Sequence, residues 1–291
     1  MILTALAATE ILAQHLDDPD WIVFDCRHDL ADPRRGRAEY IASHIHGARF
    51  LSLDADLSAP KTGTNGRHPL PDPRVLAEKL EHAGVDSSKQ IVAYDAQGGM
   101  VAARLWWLLR WLGHLPVAVL DGGWDKWIAE GRPQSAEVPR PKRTRLLGRP
   151  HNDWVNSDFV CSHLGDAGTV LLDARAADRF RGQNETLDPV AGRIPGARNR
   201  PFRDNLDADG RFKPAPILKR EFRAALGGVS PEQVVHYCGS GVSACHNIFA
   251  MELAGLRGGR LYPGSWSEWC ADPARPVMTG ELEPTDLGPP R

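Results

Sequence analysis

Three short apolar runs, residues 21–25, 91–95 and 117–120, carry Val, Ile or both without polar alternation, as strands buried on both faces do. Residues 75–83 and 99–113 instead space their apolar positions as helices, with Leu105, Leu108, Leu109 and Leu112 on one side of the second. The pattern then recurs: strands are expected at 169–173 and 233–237, and helices at 219–227 and 242–255. Strands alternating with helices predict an α/β fold, with a parallel sheet and helices on both faces in each half.

The recurrence extends to the residues themselves. WIVFDCR (21–27) and TVLLDAR (169–175) both end in Asp-x-Arg, Asp25 with Arg27 and Asp173 with Arg175. HIHGAR (44–49) lies against RIPGAR (193–198), IVAYDAQGGMVAA (91–103) against VVHYCGSGVSACH (234–246), and LDGGWDKW (120–127) against YPGSWSEW (262–269). Four ordered matches at nearly one spacing imply a duplicated unit. The copies are expected over 1–132 and 153–291, joined by a linker at 133–152 that largely coincides with the Pro-, Arg- and Gly-rich stretch 131–150. The tail GELEPTDLGPPR (280–291) is expected to be poorly ordered.

Composition narrows the function. The 291 residues hold 35 Lys plus Arg against 37 Asp plus Glu, a balance that argues against neutralising nucleic-acid phosphates. The greasiest stretch, Met100 to Leu120, is interrupted by Arg104, Arg110 and His114, so no membrane span is expected. The first residues, MILTALAATE, lack the basic start and long apolar core of a signal peptide. Five cysteines, an odd number without metal-type pair spacing, suggest reduced thiols in a cytoplasm rather than a disulfide frame or a metal site.

One cysteine has a chemical setting. Cys238 falls where a buried strand ends and a short Gly-rich loop leads into a helix, the place where ligands collect in open α/β sheets. Gly239 and Gly241 let that loop curl, so that its N–H groups and the positive end of the helix converge on one point. A thiolate nucleophile or a persulfide anion is stabilised there. Cys26, Cys245, Cys161 and Cys270 read as packing or unremarkable positions. In the first copy Asp95 stands where Cys238 stands in the second, so that copy has no nucleophile.

The loop CGSGVSA, the repeated Asp-x-Arg, the Ile-Pro-Gly-Ala element and GSWSEW together resemble the two-domain rhodanese superfamily, most closely its 3-mercaptopyruvate and thiosulfate sulfurtransferases. The likeness runs over about residues 8–270, nearly the whole chain. It implies an active second domain and an inactive first domain that serves as scaffold or closes one wall of a cleft. It also implies a proton relay through Ser240, assisted by His68 and Asp54, since a carboxylate can orient the ring that handles a proton. Arg179 matches a family arginine that binds the donor's carboxylate and carbonyl, and loop residues Gly239, Gly241, Val242 and Ser243 are expected to hold the donor. A second clamp arginine is missing from QNETLDPVA (183–191), with Arg193 or Arg181 as substitutes. Gly239 and Ser240 also stand where a thiosulfate-type loop carries basic side chains, and His46 replaces a usual proline.

The expected activity is double displacement: Cys238 takes a sulfur from 3-mercaptopyruvate or thiosulfate and passes it to cyanide, a small thiol or thioredoxin. No metal or organic cofactor is required, and a duplicated chain can work as a monomer. A cysteine phosphatase would need Cys-x5-Arg, and the sixth residue after Cys238 is Ala244. A non-catalytic sulfur-carrier or binding module is the third class, and the intact loop argues against it.

Overall fold

The computed structural model describes residues 2–281, so the expectation for the tail beyond Glu281 lies outside the described residues. The chain forms two compact units. One holds the residues up to Ala59 with Leu70–Asn152 and Asp207–Phe212; the other holds Pro60–Pro69, Asp153–Leu206 and the chain from Lys213 on. Two of these assignments, 60–69 and 207–212, are not described by a single cut at one linker.

The first unit contains β1 (Leu6–Ala7), β2 (Trp21–Asp25), β3 (His44–Ile45), β4 (Arg49–Phe50), β5 (Gln90–Tyr94), β6 (Val117–Leu120) and β7 (Gln134–Ser135). Five of them make a sheet in the order β1-β6-β5-β2-β4, every pair parallel. Parallel neighbours need crossovers. The helix Pro73–His82 supplies the one from β4 to β5, and Met100–Trp111 the one from β5 to β6. All five residues of β5 and all four of β6 are buried, so both faces of the sheet are covered. That is the physical reason for their unbroken apolar runs.

The second unit repeats the plan with β8 (Val170–Asp173), β9 (Arg198–Asn199), β10 (Val234–Tyr237) and β11 (Arg260–Leu261), parallel in the order β11-β10-β8-β9. A single parallel bridge from Trp154 to Leu261 stands where β1 pairs with β6 in the first unit. The helices Ala215–Leu226 and Val242–Leu253 make the crossovers on either side of β10. The repeated Asp-x-Arg is a buried ion pair in both units: Arg27 Nη2 lies 2.6 Å from Asp25 Oδ2, and Arg175 Nη2 lies 2.7 Å from Asp173 Oδ2. Each guanidinium also stacks over the repeated tryptophan, Trp124 or Trp266. These residues hold the frame.

The Pro-rich stretch after Gly131 is tied along the first unit. β7 pairs antiparallel with β3, Thr144 N donates to Glu81 O, and Arg149 N and His151 N donate to Leu112 O and Trp111 O. Among the described residues no helix is long and apolar enough to cross a membrane.

Candidate active site

β10 is central in its sheet, and Cys238 is the first residue beyond its C-terminal end. The residue is 2% exposed. Its Sγ accepts the N–H of Gly241 at 3.1 Å and that of Ser240 at 3.4 Å, so the loop does converge on the sulfur. Gly241 makes this curl possible. Its φ is +80°, and a Cβ there would lie 2.5 Å from Pro263 O. The helix Val242–Leu253 starts next, with no side-chain cap from Gly241, so the amides of Val242, Ser243 and Ala244 begin a helix whose first N–H groups have no intrahelical acceptor. Val242 and Ser243, expected from the sequence to hold the donor, are buried here.

The GSWSEW element fixes the other side of the loop. Ser265 adopts φ +54°, accepts the Cys238 N–H on its Oγ at 3.1 Å and donates to Tyr262 O. Trp266 N and Ser267 N donate to the carbonyls of Cys238 and Gly239, each at 2.9 Å. With these outward groups occupied, the amides of Ser240 and Gly241 face the sulfur. The first copy points to this role, because its equivalent position, Gly123, has the same φ, and Trp124 N donates to Asp95 O.

The first unit shows what such a loop holds. Asp95, buried at the end of β5, accepts Gln97 N and Gly99 N on Oδ1 and Val101 N and Ala102 N on Oδ2, all at 2.7–2.9 Å. Burial pushes its carboxyl up, while the four amide hydrogens pull the other way. Two bonds on each oxygen suit the ionised form. Both helices begin after a left-handed glycine, Gly99 or Gly241, so Val101 and Ala102 correspond to Ser243 and Ala244.

Ser240 Oγ lies 2.7 Å from His68 Nδ1, with His68 buried in the second unit. Asp54 is half-buried in the turn after Leu53 and belongs to the first unit. Arg179 approaches Gly239: its Nη2 and Nη1 lie 3.6 and 3.7 Å from where a Cβ at 239 would sit. Arg67, which sequence reasoning missed, comes nearer, with Nη2 2.6 Å from that point. Glu185 binds Arg179 through Nε and Nη2, and Asp188 contacts both Arg179 Nη2 and Arg67 Nη1. Both carboxylates are nearly inaccessible. Burial works against the Glu185 anion, but the amides of Leu187 and Asp188 and the Arg179 guanidinium leave its carboxyl lower than usual. For Asp188 burial prevails over Arg67 and the carboxyl is raised.

The other candidates sit elsewhere. Arg193 is fully buried, stacks over Phe180 and gives Nη1 and Nη2 to the carbonyls of Gly280 and Glu281. Arg181 pairs with Glu281 at 3.2 Å. His46 faces Asp17 across 3.7 Å on the surface. Burial pushes the Cys26 thiol well up, helped by Asp25, and that of Cys270 up. Cys245 donates its S–H to Gly241 O. Among the described residues none of the five cysteines forms a disulfide. Ala244, where a phosphatase would need arginine, is wholly buried.

The rhodanese-like domain family matches residues 8–130 and again 159–272. The chain belongs to the rhodanese family. A Pseudomonas aeruginosa relative named "Probable 3-mercaptopyruvate sulfurtransferase" is 48% identical over 279 residues, covering 95% of this chain and 98% of that one. The thiosulfate sulfurtransferase of Gallus gallus is 31% identical over 252 residues, 85% of each chain. The crystal structure of SseA from Escherichia coli, described with the 3-mercaptopyruvate sulfotransferases, aligns with a TM-score of 0.79 at 29% identity, over 91% of this chain and 99% of that one. Transfer of sulfur is common to all three names. Within this rhodanese the second unit carries the cysteine, and the first fills the equivalent cradle with a carboxylate.

Proposed function

We propose that this rhodanese is a sulfurtransferase that takes the sulfur of 3-mercaptopyruvate onto Cys238 and delivers it to a thiophilic acceptor. The observation that carries the reading is the Cys238 sulfur, bonded by loop amides at the start of an uncapped helix, beside the Ser240–His68 pair.

The Cys238 thiolate attacks the donor's sulfur. An S–S bond forms, the donor's C–S bond breaks, and its electron pair leaves as the enolate of pyruvate. The donor's thiol proton must reach that carbon. Ser240 Oγ and His68 Nδ1, already hydrogen-bonded, provide the route. An Asp54→Asn variant reads whether a carboxylate assists this step. Cys238 then carries an outer sulfur as the persulfide anion. The position of the Asp95 carboxylate in the first unit supports the Ser243 and Ala244 amides as its hydrogen-bond donors. Cyanide, a small thiol or thioredoxin attacks the outer sulfur and releases the thiolate. No cofactor enters this cycle. Cysteines without disulfides suit a reducing compartment such as the cytoplasm.

Steady-state kinetics with cyanide as acceptor test the reading: ping-pong patterns are expected, and Cys238→Ser abolishes transfer. Full activity in Cys238→Ser would refute it. Thiosulfate is the alternative donor, favoured by the two guanidiniums near Gly239, and comparing kcat/KM for the two donors decides between them.

A further inference from the structure

We infer that Arg67 is the second donor-binding cation of the Cys238 loop, gripping the donor's carboxylate or sulfonate together with Arg179; this rests on the sulfurtransferase reading above. Sequence reasoning looked for the second arginine after Arg179, and the structure directs both candidates there to the carbonyls or carboxylate of Gly280 and Glu281. Arg67 arrives from the segment Pro60–Pro69 instead.

Three features place its charge at the loop. Its backbone N–H donates to Ser267 Oγ at 3.0 Å, and Ser267 N in turn holds Gly239 O, so the residue is registered on the loop's own support. Gly239 has no side chain to occupy the space that the guanidinium enters. Asp188 then lies against both Arg67 and Arg179. Two guanidiniums converging on one glycine repel each other, and a buried carboxylate between them is what allows the pair to stand. Asp188 occupies Arg67 Nη1, and Glu185 occupies Arg179 Nε and Nη2. Arg67 Nη2 and Arg179 Nη1, both near the Gly239 Cβ position, have no protein acceptor among the described residues. Their N–H groups face the loop that bears the nucleophile. A planar anion spanning them would set the donor's sulfur toward Cys238. The next residue, His68, reaches Ser240, so one short segment supplies both the cation and the relay imidazole.

The test uses the full chain. Arg67→Met should raise the donor KM about 10- to 100-fold, the value of one charge-assisted hydrogen bond, and change kcat by much less. Arg67→Lys should recover part of the loss. Arg67→Met/Asp188→Asn, which also removes the carboxylate that Arg67 faced, should keep the raised KM. An unchanged KM in Arg67→Met, or a normal KM in the double variant, would overturn the inference; the second result would mean that Arg67 only neutralises Asp188. Protection of Cys238 from iodoacetamide by pyruvate tests the pair without turnover, and Arg67→Met should need about tenfold more pyruvate. Protection that depends on Arg67 without any sulfur transfer would refute the sulfurtransferase reading and leave the arginine pair standing. Transfer with a KM indifferent to Arg67 would do the reverse.

Discussion

Replacing Asp95 by Asn asks whether the helix start in this repeated frame is built for an anion. The carboxylate accepts four buried amide hydrogens, two on each oxygen, at 2.7–2.9 Å. In Asp95→Asn the volume is nearly unchanged, but one oxygen becomes an NH2 group that points donors at donors. Two buried N–H groups then lose their acceptor, at about 1–3 kcal/mol each, so the variant should lose about 2–6 kcal/mol. That is a large part of a domain's usual margin of about 5–15 kcal/mol. Urea unfolding measures the global loss. Hydrogen exchange at Gln97, Gly99, Val101 and Ala102 localises it, which matters in a chain with two units. A loss below about 0.5 kcal/mol, with those amides as protected as before, would refute the reasoning, because the amides would then not depend on a bound negative charge.

Ser240→Ala and His68→Asn should lower kcat with 3-mercaptopyruvate by about 100-fold or more, the low end for a lost proton-transfer group, and leave thiosulfate turnover nearly intact, since sulfite departs without protonation at carbon; equal losses with both donors would argue for a structural role. Gly241→Ala forces a Cβ onto Pro263 O at φ +80°, so it should cost about 1–3 kcal/mol in backbone strain and abolish transfer, whereas Gly239→Ala crowds only the far ends of two flexible side chains, Arg67 most closely and Arg179 at ordinary contact distance, and should leave the melting temperature near wild type while raising the donor KM. His236 is wholly buried, neither of its ring nitrogens has a hydrogen-bond partner among the described residues, and burial lowers its pKa from 6.5 to about 3. The unfolded chain binds a proton that the folded chain refuses, so the stability held above pH 6.5 should fall as pH drops from 6.5 toward about 3, and His236→Phe should flatten that slope in pH-dependent urea titrations.

Much of the frame is legible in the chain because its central strands are buried on both faces and so spell continuous apolar runs. The expected strand over 21–25 matches β2, and the expected runs at 233–237 and 242–255 frame the observed β10 and its following helix. The two-residue strands β1, β4, β9 and β11 have no room for a period and left no signal. At the site, Cys238 and Asp95 are readable because strand, glycine loop and helix are contiguous. Arg67, Ser265 and Ser267 act across long sequence separations, so no local pattern announces them. Comparison of the copies offered one hint, the Gly123 position that becomes Ser265. The segment 183–191 reads as lacking an arginine, yet its acids, Glu185 and Asp188, are what position two arginines from elsewhere.

Intact-mass analysis of the protein after treatment with 3-mercaptopyruvate, before and after adding cyanide, tests the central claim most directly. The account predicts a gain of one sulfur atom, mapped to the peptide containing Cys238, lost on adding cyanide and absent from Cys238→Ser. An unmodified Cys238 under conditions where sulfur reaches the acceptor would contradict it.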